Sequence, residues 1–99
     1  MMTVITHVTL REGSEPEWDA AMRERLDGAI EHDGWVGGQL LVPLDAPNER
    51  MIVGIWDSRA DWEAWHEDET FAETREGLEG LQARPDETRW YEVATDVRR

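Results

Sequence analysis

The sequence has no cysteine and no lysine, only two serines, and no apolar run near the roughly 18 residues of a membrane-spanning helix. Without cysteine there are no disulfides, iron–sulfur clusters, cysteine-ligated zinc sites or thiolate nucleophiles. Without lysine there is no Schiff-base chemistry and no phosphate-binding P-loop. The two serines, Ser14 and Ser58, fall where helices are expected to begin, which argues against a serine nucleophile. Positive charge is scarce: 10 basic residues, all arginine, face 23 acidic ones, for a formal charge of −13. Nucleic acid and anionic membranes, which attract basic surfaces, are therefore excluded as partners. The opening MMTVITHVTL lacks the charged and apolar regions of a signal peptide, so a cytoplasmic location is expected.

The 99 residues bound the chain to one domain, spanning 1–99, with room for a single core. Six tryptophans (Trp18, Trp35, Trp56, Trp62, Trp65 and Trp90) stand against one Tyr and one Phe. Large rigid aromatics fill cores, and they also wall pockets for flat ligands.

Residues 2–10 are rich in β-branched side chains and read as a first strand. A turn follows over 11–16, where Ser14 and Glu17 have capping-box spacing. A helix then runs to about residue 31, with Trp18, Ala21, Met22, Leu26, Ala29 and Ile30 at helical intervals. Asp33-Gly34 stops it. Residues 35–44 and 50–56 read as a hairpin around the DAPN turn at 45–48, with Gly37 and Gly38 allowing a bend or bulge in its first strand. Ser58 caps a segment carrying Trp62 and Trp65, 66–68 is a polar joint, and Asp68 caps a further helix through Gly80 with Phe71, Thr74, Leu78 and Leu81 as its apolar stripe. Residues 88–97 close the chain as a fourth strand.

The order is β-α-β-β-α-β, an α+β ferredoxin-like fold: an antiparallel four-stranded sheet with two helices on one face. Strands two and three are apolar on both faces, yet two helices cover only one. The uncovered face predicts a homodimer packed sheet on sheet.

Few residues carry chemistry. HEDET at 66–70 starts like a zinc-protease helix, but Thr70 stands where the second histidine is needed. His7, His32 and His66 share no ligand spacing, so no metal site is expected. His7, mid-strand beside Ile5 and Val8, reads either as a core histidine satisfied by a hydrogen bond or as a general base. Arg75 borders the stripe of Phe71 and Leu78. It either reaches solvent and pairs with a helix-face glutamate, or places a cation at a pocket mouth. Trp62 and Trp65, three apart, are either plain core or the wall of a pocket for a planar ligand.

The opening VITHVTLREG and the run GWVGGQLLVPLDAPNERMIVGIWDSRADWEAWHEDETFAETREG together resemble the antibiotic biosynthesis monooxygenase domain family. The resemblance lies in order and spacing: a Gly-aromatic lead into strand two, a hairpin ending at Trp56, then Ser58, the Trp62/Trp65 pair and Phe71. It covers residues 3–95 and implies the dimeric α+β barrel. Members include monooxygenases that oxidise aromatic polyketides with O2 and no metal or flavin, heme-degrading enzymes, and proteins without assigned activity. The heme-degrading branch uses an Asn in strand one, a Trp before the last helix and a His ten residues later. Those positions are His7, Trp65 and Arg75 here, and arginine has no free lone pair to ligate iron.

The resemblance thus implies a cofactor-independent monooxygenase acting on a small aromatic substrate, with heme degradation disfavoured. His7, Trp65 and Arg75 would be catalytic, His7 as base and Arg75 as oxyanion partner. Ile5, Trp62 and Phe71 would line the substrate pocket between sheet and helices. The rivals are a non-catalytic dimeric barrel that binds small molecules, and a polyketide cyclase or isomerase that needs no O2.

Overall fold

The computed structural model describes residues 1–99, apart from the side chain of Thr70. The chain runs β1 (Met2–Thr9), α1 (Glu15–Ala29), β2 (Trp35–Leu41), β3 (Glu49–Trp56), α2 (Arg59–Glu67), α3 (Glu69–Glu79) and β4 (Glu87–Glu92). All pairings are antiparallel, and the strand order is β2-β3-β1-β4. This is the expected ferredoxin-like α+β fold. No helix is long and apolar enough to cross a membrane.

Strand alternation sets which side chains meet the helices. Met2, Val4 and Val8 of β1 are buried on that face, as are Arg50, Gly54 and Trp56 of β3. The other face carries Ile5, Met51, Val53, Ile55 and Tyr91, an apolar strip beneath no element of this chain.

Local chemistry explains most boundaries. Ser58 caps α2 as expected: its hydroxyl accepts from the Asp61 amide at 3.2 Å and donates to the Asp61 carboxylate at 2.9 Å. Ser14 does not form the capping box. Its hydroxyl lies instead between the carbonyls of Arg11 (2.7 Å) and Leu81 (2.9 Å), which share its one hydrogen, tying the start of α1 to the chain beyond α3. A proline in the first turn, with Glu15 and Glu17, serves the N-terminus of α1 in its place. The joint between the last two helices narrows to one residue, Asp68, whose extended backbone (ψ 142°) separates them. His66 and Glu67 are helical.

Two strands stop short of the sequence expectation. β2 ends at Leu41 because Pro43 opens the turn that accepts from Ala46. β4 ends at Glu92 because its partner β1 begins at Met2; one further bond joins Val93 N to Met1 O. The bend expected at the glycines is a register shift between Trp35 and Gly37. Gly34, at φ +88°, turns the chain into β2, and a Cβ there would run into the Asp61 side chain.

The core forms two clusters. One holds Met2, Val4, Ala29, Trp56, Trp65 and Phe71; the other holds Val8, Leu10, Trp18, Met22 and Leu78. Arg50 is the one charged side chain buried among them, at 5% exposure, and its fork grips Asp19 at 2.8 and 3.0 Å. Its Nη1 donates to the carbonyls of Pro47 and Glu49. Removing the carboxylate strands a buried cation, which typically costs about 3 kcal/mol. Asp19→Ala is expected to lower unfolding free energy by that order in urea denaturation; a change within experimental error would show that Arg50 finds other compensation.

Candidate active site

A cavity of about 290 Å³ lies between the helix-facing side of the sheet and the helices, with members of both core clusters in its walls. Val4, Thr6 and Val8 contribute from β1, Trp18, Met22 and Arg25 from α1. The other wall is aromatic and comes from α2 and α3. Trp62 and His66 are four apart on α2, so they share a face with Trp65. The break at Asp68 then returns Phe71 to the same wall.

These groups stack in series. The Trp62 and His66 rings are 3.7 Å apart between centroids at 38°, and His66 and Phe71 are 4.0 Å apart at 44°. The Arg25 guanidinium lies 3.8 Å from the Phe71 centroid. Trp65 meets Phe71 edge-on at 5.8 Å, and Trp90 meets Trp62 edge-on at 5.2 Å.

His66 has a fixed tautomer. Its Nδ1 is 2.8 Å from the Trp62 carbonyl, which can only accept, so Nδ1 carries the hydrogen and Nε2 the lone pair. Burial lowers its pKa to about 4; the Trp62 bond opposes this, and Arg25 and Arg75 add to it. Arg25 donates from Nε to Thr74 Oγ1 (2.9 Å) and from Nη2 to Phe71 O (3.0 Å). Burial, with the neighbouring Arg75 charge, lowers its pKa to about 10, while Asp86 and Glu79 raise it. It therefore stays a cation at neutral pH.

Among the residues singled out from the sequence, Trp62, Trp65 and Phe71 are brought together here. Arg75 reaches the cavity rim, but its side chain is 64% exposed and pairs with Glu79 at 3.3 Å. His7 and Ile5 do not join them. The resemblance implies a place for both in the pocket between sheet and helices; both project from the opposite face, because residues of that parity on β1 face away from the helices. The polar strand-one residue that lines the cavity is Thr6, one position away, with its hydroxyl 3.0 Å from that of Thr88.

Two polar residues of the site escape the sequence reading. Arg25 lies seven residues after Trp18 and three after Met22, on the buried stripe of α1. His66 lies four after Trp62, and in the sequence its context suggests only a zinc ligand. Among the described residues no three His, Asp or Glu side chains are placed to hold a metal.

A sequence model of the family described as Antibiotic biosynthesis monooxygenase matches residues 1–77. The chain belongs to the antibiotic biosynthesis monooxygenase family. No curated protein matches its sequence. Solved structures share its fold at low identity. A Nitrosomonas europaea protein named for the same family has 18% identity and a TM-score of 0.90, with 96% of this chain and all of that one covered. Rv0793 from Mycobacterium tuberculosis has 15% identity and a TM-score of 0.88, with 98% of each chain covered. SnoaB, a cofactor-independent oxygenase from Streptomyces nogalater, has 16% identity and a TM-score of 0.87, with 97% of this chain and 95% of that one covered. At these identities the likeness to the solved structures concerns the fold.

The lowered His66 pKa has a consequence for stability. The unfolded chain protonates this histidine near pH 6.5 and the folded one near pH 4, so the fold favours the neutral ring. Stability from this source is present above pH 6.5 and is lost as pH falls towards 4. His66→Phe keeps an aromatic in the stack and removes the titration. Wild type is expected to lose more Tm than this variant between about pH 7 and pH 4.5 by circular dichroism. Parallel losses would show that folding does not lower the His66 pKa.

Proposed function

We propose that the protein is a cytoplasmic, homodimeric monooxygenase that oxidises a small planar aromatic substrate with O2 in this cavity, without metal or flavin. The observation that carries the reading is the continuous Trp62–His66–Phe71 stack, an apolar wall for flat rings with one fixed proton acceptor and an adjacent guanidinium. Family membership and the oxygenase activity named for SnoaB support it. The alternative of heme degradation finds no support in Arg75, whose guanidinium offers iron no lone pair.

The substrate best matched is a ring-activated methylene, as in an anthrone. Trp62, Trp65 and Phe71 hold the rings and exclude water. The His66 Nε2 accepts the proton as the C–H bond breaks, and negative charge growing beside the ring strengthens its hold on that proton. Arg75, at the rim of the cavity, stabilises the oxyanion of the resulting enolate. The enolate carbon passes electrons to O2 and forms a C–O bond. The protonated hydroperoxide then loses its second C–H proton and breaks its O–O bond, releasing water. In balance, one methylene and one O2 give one ketone and one water: the carbon is oxidised by four electrons, one oxygen atom enters the carbonyl, and the other leaves with the two methylene hydrogens. The role that the resemblance implies for His7 falls to His66, while His7 and Ile5 would face the partner's sheet.

The test is oxygen uptake by metal-free protein supplied with anthrone. His66→Ala is expected to lower kcat about 100-fold, and Trp65→Ala to weaken substrate binding, with His7→Ala close to wild type. Anthrone binding without oxygen uptake would leave a binding or isomerising barrel as the better account. Loss of uptake in His7→Ala alone would return the base to the open face.

The dimer is tested separately. Packing the Ile5, Met51, Val53 and Ile55 strip of two copies together predicts twice the chain mass at micromolar concentration, and Val53→Glu is expected to yield monomers. A monomeric wild type would overturn it.

A further inference from the structure

Two arginines of this chain meet their surroundings in opposite ways. Arg50 turns its Nε/Nη2 edge to a carboxylate, so its charge is neutralised where it is buried. Arg25 turns the same edge to two neutral acceptors, the Thr74 hydroxyl and the Phe71 carbonyl. Those bonds fix the guanidinium plane against the Phe71 ring and leave its charge uncompensated by contact. They also leave the other edge, Nη1 and the second Nη2 hydrogen, without a partner among the described residues. That edge is the fork that takes a carboxylate end-on with two parallel bonds.

Nearby charges do not fill this place. Of the cavity's two carboxylates, Glu79 pairs with Arg75 at the rim, and Asp86 is exposed and forms no ion pair among the described residues. Arg25 is half-buried and makes no carboxylate contact among the described residues, in a chain of net charge −13.

We propose that the cavity binds a planar aromatic carboxylate, with the carboxylate on the Nη1/Nη2 edge of Arg25 and the rings along the Trp62–His66–Phe71 wall. The proposal rests on the reading of this cavity as the substrate site and narrows its substrate class to an acid. Arg25 acts as the specificity determinant. It tells an acid from its neutral isostere, since only the acid supplies the charge and the second acceptor oxygen.

The probes are 2-naphthoate and 2-naphthamide, equal in shape and different in charge, titrated by calorimetry at about pH 7. Wild type is expected to bind the acid about tenfold or more tightly than the amide. Arg25→Gln should bring that ratio near one with little change in amide affinity, and the unchanged amide affinity reports an intact cavity. Arg25→Lys, which keeps the charge without the fork, should fall between. Arg23→Gln removes the same charge from the exposed side of α1 and should keep the wild-type ratio. A ratio near one in wild type, no binding of either probe, or a ratio that survives Arg25→Gln would overturn the proposal. Oxygen uptake with the neutral substrate anthrone separates the two readings: uptake without acid preference fails only this one, and acid preference without uptake of O2 by any substrate fails only the oxygenase.

Discussion

Arg25 joins α1 to α3 by donating to the Phe71 carbonyl and the Thr74 hydroxyl while its plane lies on the Phe71 ring, and the shape of the cavity follows from that tie. A guanidinium is too polar to be sealed into apolar packing and too bulky to be ignored there. Around it the hydrophobic side chains divide into two groups. One cluster closes around Trp56 and Trp65, the other around Trp18 and Leu78, and the space that neither fills is the site.

Tryptophan makes that division stable. Its rings pack edge-to-face, as Trp35 does on Trp56 and Trp65 on Phe71, and such contacts hold a wall upright without needing atoms on the other side. Leucine and valine would collapse inward to fill the gap. The chain therefore obtains a small pocket from a domain with little core to spare, and places in it the polar groups that the closed parts of the core exclude.

Much of this was legible from residue order. Alternation in β1, the helical spacing of Trp18 and Met22, the glycines at the bulge and the capping serine of α2 each obey a local rule. What the sequence could not reveal was parity. His7 and Thr6 are adjacent, and only the pairing of β1 with β3 decides which of them faces the helices. Ser14 shows the same limit from another side, since its hydroxyl serves Leu81, 67 residues away, and not the nearby amide that local spacing favours. His66 was read as part of a polar joint and not as a helix neighbour of Trp62, and its tautomer depends on a carbonyl direction that spacing does not contain. Arg25 is the hardest case: its spacing from Trp18 and Met22 puts it on the buried stripe of a helix rich in charged residues, but only its bonds to Thr74 and Phe71 show that it turns inward where Arg23 stays exposed.

Gly34 does not itself line the cavity, yet it acts on the aromatic wall as a machinist's shim acts on a bearing. The hydrogen atom where a side chain would be lets the Asp61 carboxylate, in the first turn of α2, lie directly against the backbone entering β2. Asp57 N bonds the Gly34 carbonyl at 2.8 Å and holds the seating flush. Any thickness added at this point would lift the near end of α2 and carry Trp62, Trp65 and His66 outward with it. The gauge of the pocket is thus set from outside, by the smallest residue in the chain.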